Sequence, residues 1–171
     1  EVNVSRAGYT LRLNIPPGTA NVTFGPGAGA TLGGGSSSNV IIGYLAGYKV
    51  YANHNVIVGK DAGRFLGQAY SQNNVIMGYQ AGYGVEGSFA SNSANNNTIV
   101  GYQAGYDITT GASNVLLGYQ AGDNASTLGN SIGIGFQSLG GANSTLLTGA
   151  NASVAIGYQA AGNASGNWGN G

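Results

Sequence analysis

Cysteine is absent from the 171 residues, so neither disulfides nor thiolate-ligated zinc can hold the fold, and cysteine usage leaves the redox compartment open. Charge is scarce: five Lys and Arg balance five Asp and Glu, 6% of the chain, where globular domains carry about a quarter. Five basic residues cannot build the positive face that a nucleic-acid binder needs. No apolar run reaches the ~18 residues of a membrane helix. Histidine occurs once, at His54 within "NHN", and there is no G-x-S-x-G elbow. The acids Glu1, Asp61, Glu86, Asp107 and Asp123 are scattered, so no carboxylate pair for glycoside hydrolysis is indicated. "GPGAGATLGGG" lacks the G-K-[ST] ending of a phosphate loop. The sequence therefore reads as that of a protein that is not an enzyme and needs no cofactor. A chain that starts at Glu1 reads as a processed form or a fragment.

Glycine and a repeated decapeptide are what the chain has in quantity. There are 33 glycines without the every-third spacing of collagen. "NVIIGYLAGY" from Asn39 returns as "NVIVGKDAGR" from Asn55, "NVIMGYQAGY" from Asn74, "NTIVGYQAGY" from Asn97 and "NVLLGYQAGD" from Asn114. Aligned on the glycine after the first apolar run, the anchors are Gly25, Gly43, Gly59, Gly78, Gly101, Gly118, Gly135 and Gly157, spaced by 18, 16, 19, 23, 17, 17 and 22 residues. Short repeats of this length signal a solenoid, whose units cannot bury an apolar face alone. Glycine at the anchor permits a turn, β-branched residues precede it, and no 3.6-residue period appears. The expected fold is all-β: a parallel β-solenoid of about eight coils over residues 19–162. An N-terminal strand and turn (1–18) precedes it and a tail (163–171) follows. Each coil reads as strand, glycine turn, short second strand and loop.

The columns assign roles. Residues three and one before the anchor share a face, because side chains alternate along a strand. Taken as inward, they give a core ladder of Val40, Ile42, Val56, Val58, Val75, Met77, Val100, Val115, Leu117, Ile134 and Ile156. The column between them, Ile41, Ile57, Ile76, Ile99 and Leu116, is then expected outside, as an interface stripe. Small Ala three after the anchor suits a narrow interior corner. Asn or Ser four before it, from Asn21 to Ser153, can form a hydrogen-bonded ladder or cap a turn. Tyrosines one and five after the anchor suggest stacking between coils, or sugar binding, with Lys60 and Arg64 set between them for cation–π contact.

"YTLRLNI" alternates apolar and polar before "PPG", a strand signal, and could cap the first coil or pair with another subunit through Tyr9, Leu11, Leu13 and Ile15. Glycosylation sequons at Asn3, Asn96, Asn124, Asn143, Asn151 and Asn163 fall outside the Asn column, and a seventh, at Asn21, falls within it.

The segments "NSIGIGFQSLG" (Asn130 to Gly140) and "SVAIGYQAAG" (Ser153 to Gly162) resemble the head repeats of trimeric autotransporter adhesins of the YadA type. "NTIVGYQAGY" is similar to repeats of phage tail-fibre and related surface proteins. The resemblance covers roughly residues 21–162. It implies a left-handed β-roll, often trimeric, with an adhesive or fibre-forming role. Ile stands here where the small Ala is usual two before the anchor. The expected function is a self-assembling extracellular filament subunit, located extracellularly or on a cell or virion surface. It would be joined end to end and through its N-terminal strand, with copies of itself as partners. The alternative is a trimeric adhesin-head or tail-fibre fragment that binds a host surface or glycan. Neither nucleic acid nor membrane insertion is expected.

Overall fold

A computed structural model describes residues 2–6, 9–14, 20–32, 35–86, 94–124, 126–140 and 152–162. The strands are β1 (Val2–Arg6), β2 (Tyr9–Asn14), β3 (Asn21–Phe24), β4 (Val40–Ile42), β5 (Val50–Asn53), β6 (Val56–Val58), β7 (Gly67–Gln72), β8 (Val75–Met77), β9 (Thr98–Val100), β10 (Val115–Leu117), β11 (Ile132–Ile134) and β12 (Val154–Ile156). Ten of them form one sheet in the order β1-β2-β3-β4-β6-β8-β9-β10-β11-β12. From β3 to β12 every neighbouring pair is parallel and in register. Val40, Val56 and Val75 occupy one file, and the anchor glycines follow each strand. The chain is a β-solenoid of stacked coils.

The turn after each strand is set by backbone conformation. The anchor glycine Gly101 has φ 143°, and a Cβ there would collide with the carbonyl of Gly118 in the next coil. Only glycine permits both the dihedral and the approach. Two residues on, Gln80, Gln103, Gln120, Gln137 and Gln159 adopt the left-handed region with φ between 48° and 52°. The turns also bond from coil to coil, Gln103 N–H to Tyr79 O and Gly105 N–H to Ala121 O, for example. The second strand expected in each coil is present, among the described residues, only as β5 and β7, which pair parallel.

The inward and outward columns are the reverse of the expectation. Ile41, Ile76, Ile99 and Leu116 are 0% exposed and Ile57 1%, whereas Val56 and Val75 are 37% and Met77 40% exposed. The file between the two apolar columns is the core. Val40, Ile42, Val56, Val58, Val75, Met77, Val100, Val115, Leu117, Ile134 and Ile156 stand on the outer face of the sheet. The Asn column decides the matter. Four and two before the anchor share a face, and Asn39, Asn55, Asn74, Asn97 and Asn114 are buried and need the interior for their hydrogen bonds. The Ile file faces the small residues across the coil: a Cβ on Gly47 would lie 3.1 Å from Ile41 Cδ1. Val50 at the start of β5 and the loop residues Leu66, Ile108 and Leu128 complete the core. Burying each large aliphatic side chain stabilises the fold by about 1.5–3 kcal/mol.

Two rungs replace both members of the Ile-and-Gly pairing. In the seventh, Gly133 replaces Ile, and Leu139 replaces the glycine four after the anchor. In the eighth, Ala155 and Ala161 share the space. In the seventh rung the large side chain thus stands on the opposite side of the coil.

Candidate interaction surfaces

The Asn column forms the hydrogen-bonded ladder anticipated, and a bond to nearby backbone is added at Asn55, whose Nδ2 donates to Asn53 O at 3.0 Å. Asn74 Nδ2 donates to Asn55 Oδ1 at 3.0 Å and to Ala94 O at 2.8 Å, while its own Oδ1 accepts from Asn97 N at 2.9 Å and Asn97 Nδ2 at 3.2 Å. The same pattern links Asn21 to Asn39, Asn39 to Asn55, and Asn97 to Asn114. Ser131 ends the amide run by donating N–H to Asn114 Oδ1 at 3.0 Å. A buried amide with both ends satisfied bonds the coil before it through Asn55 and the coil after it through Ala94 and Asn97.

The aromatic ladder runs down the corner after the strand. Tyr79, Tyr102, Tyr119, Phe136 and Tyr158 stack with centroids 5.0–5.2 Å apart and planes within 12° of parallel. Each inner ring has its faces covered by the rings above and below, so solvent meets edges and hydroxyls. The apolar ring faces that a sugar would stack on are already occupied by neighbours. Lys60 fills the missing rung, with Nζ 5.9 Å from the Tyr44 centroid and 5.5 Å from that of Tyr79. Arg64 lies 5.8 Å from the Tyr48 ring and 5.9 Å from Tyr83, and its Nη1 meets Asp61 Oδ1 at 2.7 Å. Beside the aromatics runs a glutamine ladder that the sequence reading overlooked. Gln103 Nε2 donates to Gln80 Oε1 at 2.9 Å, and Gln120, Gln137 and Gln159 continue it. Its signal was the unbroken Gln column two residues after the anchor.

Titration is perturbed at two neighbouring groups. Burial, and then the Asp123 carboxylate, raise the Asp107 carboxyl above its ordinary value. Burial, and then Tyr83 and Asp107, raise the Tyr106 phenol. Among the described residues no group of three or more His, Cys, Asp or Glu could hold a metal ion. His54 is exposed in a left-handed turn with φ 59°.

At the N-terminal end β2 lies antiparallel between β1 and β3, so the strand that carries Tyr9, Leu11 and Leu13 has both edges paired within its own chain. Ile15 lies outside the described residues, as do Asn143, Asn151 and Asn163. Asn3 is on β1, and Asn96 and Asn124 are exposed, while Asn21 is buried. At the other end the outer edge of β12 pairs with no strand among the described residues. An open depression of about 440 Å³ is lined there by Leu139, Ala155, Ala160 and Ala161 together with Ser153, Val154 and Ile156.

No family model matches this sequence, and neither a curated protein nor a solved structure matches it.

Proposed function

We propose that the chain is a non-catalytic structural subunit that assembles with copies of itself into an extracellular fibre. The observation that carries this reading is the sameness of the rungs. In inner rungs the amide three before the anchor donates to the next coil, as Val115 N–H does to Ser131 O at 2.9 Å, and the carbonyl one before it accepts from the next anchor, as Val100 O does from Gly118 N–H at 2.9 Å. Val154 N–H and Ile156 O hold these positions in β12, and no further rung meets them among the described residues. An unpaired strand edge is a template for another strand.

The second edge that pairs with no strand among the described residues is that of β1. Two antiparallel steps, β1 to β2 and β2 to β3, make β1 run in the same direction as β12. Docking β12 of one copy on β1 of the next would extend one sheet in one sense. Such a heterologous contact does not close, so it propagates. The resemblance to fibre and surface-protein repeats supports the extracellular setting.

Val154→Pro tests the joint, because it removes this amide without removing a bond made among the described residues. Negative-stain images should show threads for the wild type and short rods for the variant. Threads of unchanged length in the variant would refute end-to-end joining.

A further inference from the structure

The outer face of the ten-stranded sheet carries two continuous apolar files. One runs Val22, Val40, Val56, Val75, Thr98, Val115, Ile132 and Val154. The other runs Phe24, Ile42, Val58, Met77, Val100, Leu117, Ile134 and Ile156. None of the sixteen residues is charged and only Thr98 is polar. Every one of them keeps contact with solvent, from half-buried to exposed. Among the described residues no loop covers them.

We propose that this face is a lateral interface and that its occupant is the same face of a second copy of this chain. The inference deepens the self-assembly reading and rests on it, but it concerns a surface at right angles to the fibre joint. Three features select a second copy. The first is area. Eight rungs spaced ~4.8 Å apart make the face roughly 40 Å long, and two files with the flanking aromatic edges make it roughly 15 Å wide. That is about 600 Å² per copy, or about 1,200 Å² in a pair, which meets the lower bound of a specific interface. The second is charge. The two files carry no ionic group, and Lys60 stands only on the flanking ladder, so little desolvation opposes burial of the files against another apolar sheet. The third is period. Ridges repeated at every rung need a partner with grooves at the same spacing, and the same files on another copy supply them. Side chains of two such sheets can interdigitate with the sheets ~10 Å apart.

The absence of cysteine makes the test direct. Val75→Cys places one thiol in the centre of the face, and Tyr51→Cys places one at an exposed site on β5, in the other sheet. Under mild oxidation Val75→Cys should give a disulfide-linked pair at least tenfold faster than Tyr51→Cys; equal rates would overturn the proposal. A second variant, Val56→Thr/Val75→Thr/Val115→Thr, keeps β-branched side chains, as Thr98 already does in the same file, so folding should be retained. Sedimentation equilibrium should show its lateral association weakened by ~100-fold. Combining either change with Val154→Pro separates the two contacts. Lateral pairs that survive Val154→Pro support the present inference even if threads are lost. Threads that survive the triple Thr change, with unaltered lateral mass, overturn it and leave the fibre reading standing.

Discussion

The exchange of volume at Gly133 and Leu139 makes a quantitative prediction. A Cβ on Gly133 would sit 3.1 Å from Leu139 Cδ1 and 3.2 Å from Leu116 Cδ2, so Gly133→Ile alone must overpack the coil. Forced methylenes in a filled core cost about 1–3 kcal/mol, taken here as about 2. Leu139 is 1% exposed, and Leu139→Gly alone opens a cavity worth about 3 kcal/mol. About 1 kcal/mol of that is returned, because Leu139 occupies φ 49°, where glycine is unstrained. The two single losses sum to about 4 kcal/mol. The double variant rebuilds the Ile-and-Gly pairing of the rungs at Ile57 and Gly63 or Ile76 and Gly82, and should lose about 1 kcal/mol or less. A coupling near −3 kcal/mol is therefore expected, at the top of what contacting residues show. Urea titration followed by circular dichroism measures it. With a slope near ~2 kcal/mol/M, the double variant should recover about 1.5 M of midpoint over the additive value. If the losses add within ~0.5 kcal/mol, the two side chains do not share one space and the compensation argument fails.

Further outcomes follow from the ladders and the turn. Asn74→Asp removes two donors and sets a carboxylate against Asn55 Oδ1 and Ala94 O; a loss above ~3 kcal/mol is expected, and Asn74→Ser, which copies Ser131, should cost about 1–2 kcal/mol in the same denaturation assay. Gly101→Ala should cost more than ~3 kcal/mol or abolish folding, since its Cβ meets a backbone carbonyl that cannot move aside. Ile76→Asp should unfold the chain rather than merely separate copies, because Ile76 is fully buried; a folded Ile76→Asp protein by circular dichroism would contradict the inward assignment. Asp107 is an acid whose folded pKa is raised, so its protonated form favours the fold. Its contribution is fully present below the unfolded pKa of about 3.8 and is lost as pH rises through the folded value. Asp107→Asn should remove that loss, so the variant's stability relative to wild type rises over this window in pH-dependent melts.

The stacking of coils was legible because the repeat is written in residues that backbone geometry demands. The anchor glycines, the β-branched residues before them and the small Ala after them fix the register by composition alone. The direction of the strand faces was not fixed by that evidence. Val at position 56 and Ile at position 57 are both strand formers, so hydrophobicity could not tell which points inward. The deciding information was present in two other columns. Asn four before the anchor is on the same face as Ile, and an amide repeated in six successive rungs, Asn21 to Asn114, gains most where water does not compete. The glycine four after the anchor turns to Leu139 only where Ile is replaced by Gly133, a covariation inside one chain that two side chains sharing a cavity would produce. Reading those columns together places Ile57 in the core and leaves Val56 and Val58 outside. The apolar surface that needs covering is therefore twice as wide as a single outward file would have made it. A two-file face is broad enough for sheet-on-sheet packing where one file is not, so the reversal strengthens the case for lateral association and moves it to different residues.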